Sequence, residues 1–353
     1  MELILIAAGF AALLVGGELL VRGSSRLAVL FGVSPLIVGL TVVSFGTSAP
    51  ELAVSLQAAF AGAPGLTVGN VIGSNIYNVL LVLGLSALFA PLLVKQQLIR
   101  LDVPLMIGAS LVFWAAALDG NLSFIDGALM FGLLLVYLVF VLRVSRREKA
   151  EIIAEYEGEY GFHPSRVSGV RLRSAGLVLG GALLLVLGAG WLVEGAVGLA
   201  RGLGVSDLLI GLTVVAVGTS LPELVTSVVA ALRGERDIAV GNVVGSNIFN
   251  ILSVLGLTAI IAPAGVPVAA EALAIDIPFM VAVAVACLPL FVTGRIVGRR
   301  EGGFLLLYGL AYTAYIVTVG YGFNLPPIAF VGLLLIAPIA ILTLLTKRRR
   351  HST

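Results

Sequence analysis

GLTVVSFGTSAPE at residues 39–51 returns as GLTVVAVGTSLPE at residues 211–223, and these two stretches decide how the chain is read. A second block repeats with them: VGNVIGSNIYN at residues 68–78 and VGNVVGSNIFN at residues 240–250. Both blocks recur at one offset of 172 residues (211 − 39 and 240 − 68), so neither copy has gained an insertion between its blocks. Each copy embeds a carboxylate, hydroxyls, amides and a proline in apolar sequence. Ionisable groups in such a setting are costly and default to function. Duplication at a fixed period marks an internal repeat.

Composition places the repeats in a bilayer. The 353-residue chain is 59% hydrophobic and 11% charged, with a mean hydropathy of +1.14. A soluble protein carries about a quarter charged residues. Apolar runs of roughly 20 residues, enough to cross the hydrocarbon core, recur from end to end. The first, residues 3–21, has no basic residue before it and no small-residue cleavage site, so it reads as a retained span. The single Cys287 lies in an apolar run and reads as a small core residue, with no disulfide framework or thiolate metal site.

The expected fold is all-α and polytopic: a ten-helix core of two inverted five-helix repeats plus one extra C-terminal transmembrane helix. Spans are expected near 2–21, 36–60, 67–90, 101–118, 124–142, 174–195, 208–231, 238–262, 272–293, 303–321 and 325–346. The first repeat would occupy 1–142 with its motif at 39–78, and the second 174–322 with its motif at 211–250. A charged linker, 143–173, divides them, and 323–353 holds the extra helix and a basic KRRR tail. This span count puts twenty of the twenty-one Lys and Arg residues on one side, Arg201 being the exception. Positive charge stays inside. The N-terminus is therefore expected outside, with the linker and C-terminus cytoplasmic. Five spans per repeat is an odd number, so the second copy enters from the opposite face. Inversion would bring Glu51 and Glu223 together near the midplane. Weaker echoes, GVSPLIVG at 32–39 with GVSDLLIG at 204–211 and LDVP at 101–104 with IDIP at 275–278, extend the repeat. The 43 glycines fit close helix packing in lipid.

The chemistry of the motif is that of oxygen. On a helix, residues three and four apart share a face, which sets Thr47 and Ser48 beside the Glu51 carboxylate. Pro50 removes a backbone donor and Gly46 loosens the turn. Thr219, Ser220, Pro222 and Glu223 repeat the arrangement. Asn70, Ser74 and Asn78 form a stripe at spacing four, as do Asn242, Ser246 and Asn250; Asn70 and Asn242 read as interhelical glue or helix caps. No thiolate is present and no imidazole is near. Hard cations take oxygen ligands, and calcium accepts six to eight of them, whereas magnesium keeps its waters. Two ionised glutamates are neutralised by one Ca²⁺ or by two Na⁺, and such either-or occupancy is a physical basis for exchange. Asp102 and Asp276 stand near span starts, where a carboxylate complements the helix dipole. Glu18 and Glu194 do not align by the offset.

These paired GTSxPE and GNVxGSNIxN blocks resemble the two alpha-repeats of the sodium/calcium exchanger family, within the calcium/cation antiporters, over roughly residues 1–322. The resemblance implies a minimal prokaryotic plasma-membrane exchanger: a secondary transporter rather than an enzyme, with counter-transport of Ca²⁺ against Na⁺ by alternating access. It implies no cofactor; the partners are the two ions as substrates and the lipid bilayer, with no nucleic acid. It implies ion ligands at Thr47, Ser48, Glu51, Ser74 and Asn78, and at Thr219, Ser220, Glu223, Ser246 and Asn250. Backbone carbonyls three residues before the motif threonines, those of Ser44 and Ala216, would add to them. Many relatives carry an aspartate at one or both of the positions held here by Asn78 and Asn250, and this chain has neither, which weakens a case for potassium. The proton-coupled branch typically shows GNxxE in place of GTSxPE, so sodium is favoured, with a proton-coupled Ca²⁺ antiporter of the same fold as the alternative. An intramembrane hydrolase would need a nucleophile with a base, or an aspartate pair. No histidine lies in any expected span.

Overall fold

The computed structural model describes residues 1–145, 169–204 and 216–320. Most of the expected linker, the first third of the expected seventh span and the extra C-terminal helix lie outside the described residues. The described chain is almost wholly helical. Its elements are α1 (Glu2–Phe31), α2 (Pro35–Thr47), α3 (Ala49–Phe60), α4 (Gly65–Phe89), α5 (Leu98–Asp119), α6 (Phe124–Ser145) and α7 (Val170–Gly202). A single turn, Ala216–Gly218, precedes α8 (Leu221–Leu232), α9 (Arg236–Ile261), α10 (Ala272–Val292) and α11 (Arg299–Gly320). Among the described residues seven helices are long and apolar enough to cross a membrane, or eight if the bent pair α2 and α3 counts as one.

Helix α1 runs ten residues past its expected end at 21, because nothing breaks it before Gly32. That glycine adopts φ 62° and ψ 46°, and its N–H caps the carbonyls of Ala28 and Val29. Arg22 and Arg26 thus lie on the helix rather than in a loop, and Arg22 pairs with Glu18 one turn earlier. Helix α7 runs antiparallel to α1 along a seam of small residues. Gly9 faces Gly188, Gly16 faces Gly181, Gly23 faces Ser174 and Gly195 faces Glu2, a spacing of seven on both helices. A Cβ at Gly9 would stand 2.7 Å from the Gly188 carbonyl oxygen, and one at Gly16 would stand 2.9 Å from that of Gly181. Apolar burial does not drive helix association in lipid, and close backbone approach takes its place.

Between α2 and α3 the helix bends by 41°. Ser48 sits at φ −82° and ψ 5°, and Pro50 is in the first turn of α3. Ser220, at φ −88° and ψ 4°, repeats this before Pro222 of α8. Proline lacks the N–H that would continue the preceding helix and disfavours helical backbone one residue earlier, so the break falls where the motif places it.

The two halves interlock. Gly127 of α6 abuts Gly256 of α9, and Gly302 of α11 abuts Gly84 of α4; a Cβ added at Gly127 or at Gly302 would lie 2.6 Å from the opposing carbonyl oxygen. Short strands do the same at the ends. β1 (Leu92–Leu93) pairs antiparallel with β4 (Ile296–Val297), and β2 (Asn121–Leu122) with β3 (Val266–Pro267). Helices α4 and α9 are buried over most of their length, while α1, α6 and α7 turn Phe10, Leu14, Leu135, Leu179 and Leu183 outward. Wide helical turns with π-type bonding start at Asn78 and at Asn250, the ends of the two motifs. Such turns gather at functional sites.

Candidate cation site

The two breaks deliver the two carboxylates to one place. Glu51 lies in the first turn of α3 and Glu223 in the first turn of α8, and both are 0% exposed. Ser48 Oγ donates to Glu223 Oε1 at 3.2 Å. Seven other buried oxygens of the two motifs have no hydrogen-bond partner among the described residues: Glu51 Oε1 and Oε2, Glu223 Oε2, Ser74 Oγ, Ser220 Oγ, Asn78 Oδ1 and Asn250 Oδ1. Leaving one buried polar group unsatisfied costs about 1–3 kcal/mol, and these seven are gathered in the motif residues. Among the described residues no group of three or more His, Cys, Asp or Glu exists. The donor set is two carboxylates supplemented by neutral hydroxyls and amides, a mixture suited to hard cations held reversibly.

The supporting bonds cross between the motif copies. Thr47 Oγ1 donates to Asn242 Oδ1 at 3.0 Å and lies 3.3 Å from Ser246 Oγ. Thr219 Oγ1 donates to Asn70 Oδ1 at 3.4 Å. Asn70 Nδ2 in turn reaches the Glu51 carbonyl at 3.3 Å and Ser55 Oγ at 3.2 Å. Asn242 Nδ2 reaches the Glu223 carbonyl at 3.5 Å and Ser227 Oγ at 3.0 Å. These two amides thus tie the backbone of each glutamate to the neighbouring helix, which is the interhelical role expected of them.

Helix α2 lies tightly on α9: a Cβ at Gly241 would stand 2.7 Å from the Leu36 carbonyl oxygen, and one at Gly245 would stand 2.7 Å from that of Leu40. Around it Thr47, Asn242, Gly241 and Gly245 are all buried. On α4 the matching Gly69 is exposed, and Gly73, Asn70 and Thr219 are partly so. Among the described residues nothing lies within 4 Å of a Cβ built at Gly69 or Gly73.

Comparison with known proteins gives the family. The profile of the sodium/calcium exchanger protein family matches residues 1–143 and 173–321. The chain belongs to the sodium/calcium exchanger family. It is 34% identical over 348 residues to the sodium/calcium exchanger MaX1 of Methanosarcina acetivorans, covering 90% of this chain and 98% of MaX1. It is 40% identical over 260 residues to the inner membrane protein YrbG of Escherichia coli, covering 73% and 79%. Its fold is similar to that of the sodium-calcium exchanger NCX_Mj, solved after soaking in Na⁺ and Ca²⁺, with a TM-score of 0.76 and 31% identity over 89% of this chain and 97% of that one. Its named relatives of known activity are transporters rather than enzymes.

In this exchanger, the structure adds partners that residue spacing does not name. The Thr47 and Ser48 hydroxyls hydrogen-bond across to the other copy, at Asn242 and Glu223. Asp102 is the residue before Val103 at the end of a wide turn, and it is buried, with the Tyr137 hydroxyl donating to Oδ1 at 3.4 Å. Glu18 pairs with Arg22 and with Arg233 from the loop after α8. Asp276 stands at the end of the matching turn, Ala272–Asp276, and Glu194 is exposed on α7. Cys287 is buried, its thiol directed at the Val283 carbonyl. The Ser44 carbonyl accepts the Ser48 N–H at 2.9 Å and lies 3.3 Å from Thr47 Oγ1. Ala216 opens the turn before Thr219. Two buried residues escape a reading by spacing: Asn75 and Asn247, each 2% exposed. They recur at the same offset, but a stripe drawn every four residues through 70, 74 and 78 passes beside them.

Proposed function

We propose that this protein is a Na⁺/Ca²⁺ antiporter of a prokaryotic plasma membrane, working by alternating access at a midplane site between α3, α4, α8 and α9. The observation that carries the reading is the set of seven buried motif oxygens with no partner among the described residues. With Glu223 Oε1 and the motif hydroxyls, they supply the oxygen ligands that a Ca²⁺ ion needs. One Ca²⁺ or two Na⁺ neutralise the paired glutamates, and a third Na⁺ makes the site +1. Loading with one ion class therefore excludes the other.

The architecture that goes with this reading is two inverted repeats, 1–142 and 174–322, joined by a cytoplasmic linker, 143–173, and followed by an extra helix with a basic tail, 323–353. The antiparallel α1–α7 seam and the reciprocal glycine contacts support it. The N-terminus is then outside. Arg22 and Arg233, bridged by Glu18, and Lys95, 2.7 Å from Asp237, mark the inner end. On this reading the tight α2–α9 contact closes the inner passage. Sodium rather than proton coupling is supported by the GTSxPE form of both motifs and by neutral Asn78 and Asn250.

The test is Ca²⁺ uptake into Na⁺-loaded proteoliposomes diluted into Na⁺-free buffer. Uptake that requires internal Na⁺ and is lost in Glu51→Gln and Glu223→Gln is expected. Uptake indifferent to Na⁺ but driven by an imposed pH gradient would move the protein to the proton-coupled alternative.

A further inference from the structure

At the centre of the molecule four carboxamides form a closed network. Asn75 Nδ2 donates to the Asn247 backbone carbonyl at 3.4 Å, and Asn247 Nδ2 donates to that of Asn75 at 3.3 Å. Their second N–H directions are spent on sulfur: Met280 Sδ lies 3.6 Å from Asn75 Nδ2, and Met106 Sδ lies 3.4 Å from Asn247 Nδ2. The remaining oxygens accept from the motif amides of the opposite copy. Asn250 Nδ2 donates to Asn75 Oδ1 at 3.2 Å, and Asn78 Nδ2 donates to Asn247 Oδ1 at 3.1 Å.

This pattern has one direction only. Turning the Asn75 amide over would set its oxygen against a carbonyl oxygen and a thioether, both acceptors. With Asn75 and Asn247 fixed, Asn250 and Asn78 must present nitrogen to them. Their own oxygens then point away, buried and without a partner.

We propose that Asn75 and Asn247 are positioning residues for ion exchange, which hold the Asn250 and Asn78 carboxamides with oxygen toward the cation. The inference rests on the reading of Asn78 and Asn250 as ion ligands. It also gives a reason for asparagine at both positions. An ionised aspartate there would face an acceptor that the carbonyl and the methionine prevent from turning. The lock thus keeps the charge of the cage at that of two glutamates.

The test is a double-mutant cycle on Na⁺-dependent Ca²⁺ uptake in proteoliposomes, with KM and kcat separated. Asn250→Ala and Asn75→Ala should each raise the KM for Ca²⁺ about tenfold, and the double variant should be no worse than the more affected single one. Multiplying effects in the Asn75–Asn250 pair, or an unchanged KM in Asn75→Ala beside a raised one in Asn250→Ala, would overturn the lock. An unchanged KM in Asn250→Ala would overturn the ligand reading itself. If Asn75→Ala does not fold, the reciprocal pair Asn247 and Asn78 gives the same cycle.

Discussion

The contact between α2 and α9 can be loosened by one methyl group. A Cβ at Gly245 would stand 2.7 Å from the Leu40 carbonyl oxygen and 2.8 Å from Leu40 Cα, and would collide with Ser44 Oγ. Ordinary contact begins near 3.4 Å, so α2 would have to withdraw by about 0.7 Å against backbone that cannot rotate away. Overpacking of this kind costs about 1–3 kcal/mol. If the cost falls on the closed contact alone, the equilibrium between closed and opened α2 shifts by about 5- to 150-fold, since 1.4 kcal/mol is a factor of ten. Hydrogen exchange of the protein in lipid nanodiscs measures this directly, because amide protection reports the free energy of local opening. In Gly245→Ala, the amides of 35–47 should exchange faster by that factor, while those of α7 stay as they are. Gly73→Ala, whose Cβ meets nothing within 4 Å among the described residues, should leave 35–47 at least as protected as before. Unchanged protection of 35–47 in Gly245→Ala would refute the reasoning. So would faster exchange spread equally over α1 and α7, which would mean that the whole fold had been weakened.

Two further outcomes follow from the same geometry. Gly181→Ala would place a Cβ 2.6 Å from the Leu20 amide nitrogen and should lower the thermal midpoint by the equivalent of about 1–3 kcal/mol. Its neighbour Gly180, with nothing within 4 Å among the described residues, should accept alanine without loss; equal melting temperatures for the two variants would disprove the seam. Asn242→Ala strands Thr47, Ser227 and the Glu223 carbonyl in a buried setting, so it should cost more stability and transport than Asn70→Ala on the partly exposed side. Equal effects in a thermal-shift and uptake comparison would contradict that difference between the two sides.

Much of this is legible in the residues themselves. A shared offset of 172 residues pairs the motifs, and prolines at 50 and 222 locate the breaks. Most span limits are readable because long apolar runs in a bilayer have few alternatives. What is not legible has a common cause. Helical spacing says which residues share a face but not what that face meets, so the bonds of Thr47 and Ser48 to the other copy, and the bend of 41° beside them, are not encoded in it. Asn75 and Asn247 escape because their partners lie 172 and 169 to 175 residues away, a distance at which no local periodicity operates. The end of α1 differs from expectation because charges normally close a span, whereas here Arg22 is held on the helix by Glu18.

The crossing of the bonds says why the motif is present twice. Ser48 reaches Glu223, Thr47 reaches Asn242 and Ser246, Thr219 reaches Asn70, Asn78 reaches Asn247, and Asn250 reaches Asn75. Each links one copy to the other, so neither copy contains a finished site. A cage assembled in this way senses relative movement of the halves at many of its ligands together. On the proposed alternating-access reading, a shift of α2 on α9 would carry Thr47 and Ser48 with it and loosen their contacts to Asn242, Ser246 and Glu223 in the same motion. The network through Asn75 and Asn247 instead joins α4 to α9 and need not change. Ligands that move and ligands that stay are thereby separated by the residues they are bonded to, and this separation would let ion occupancy bias which passage opens.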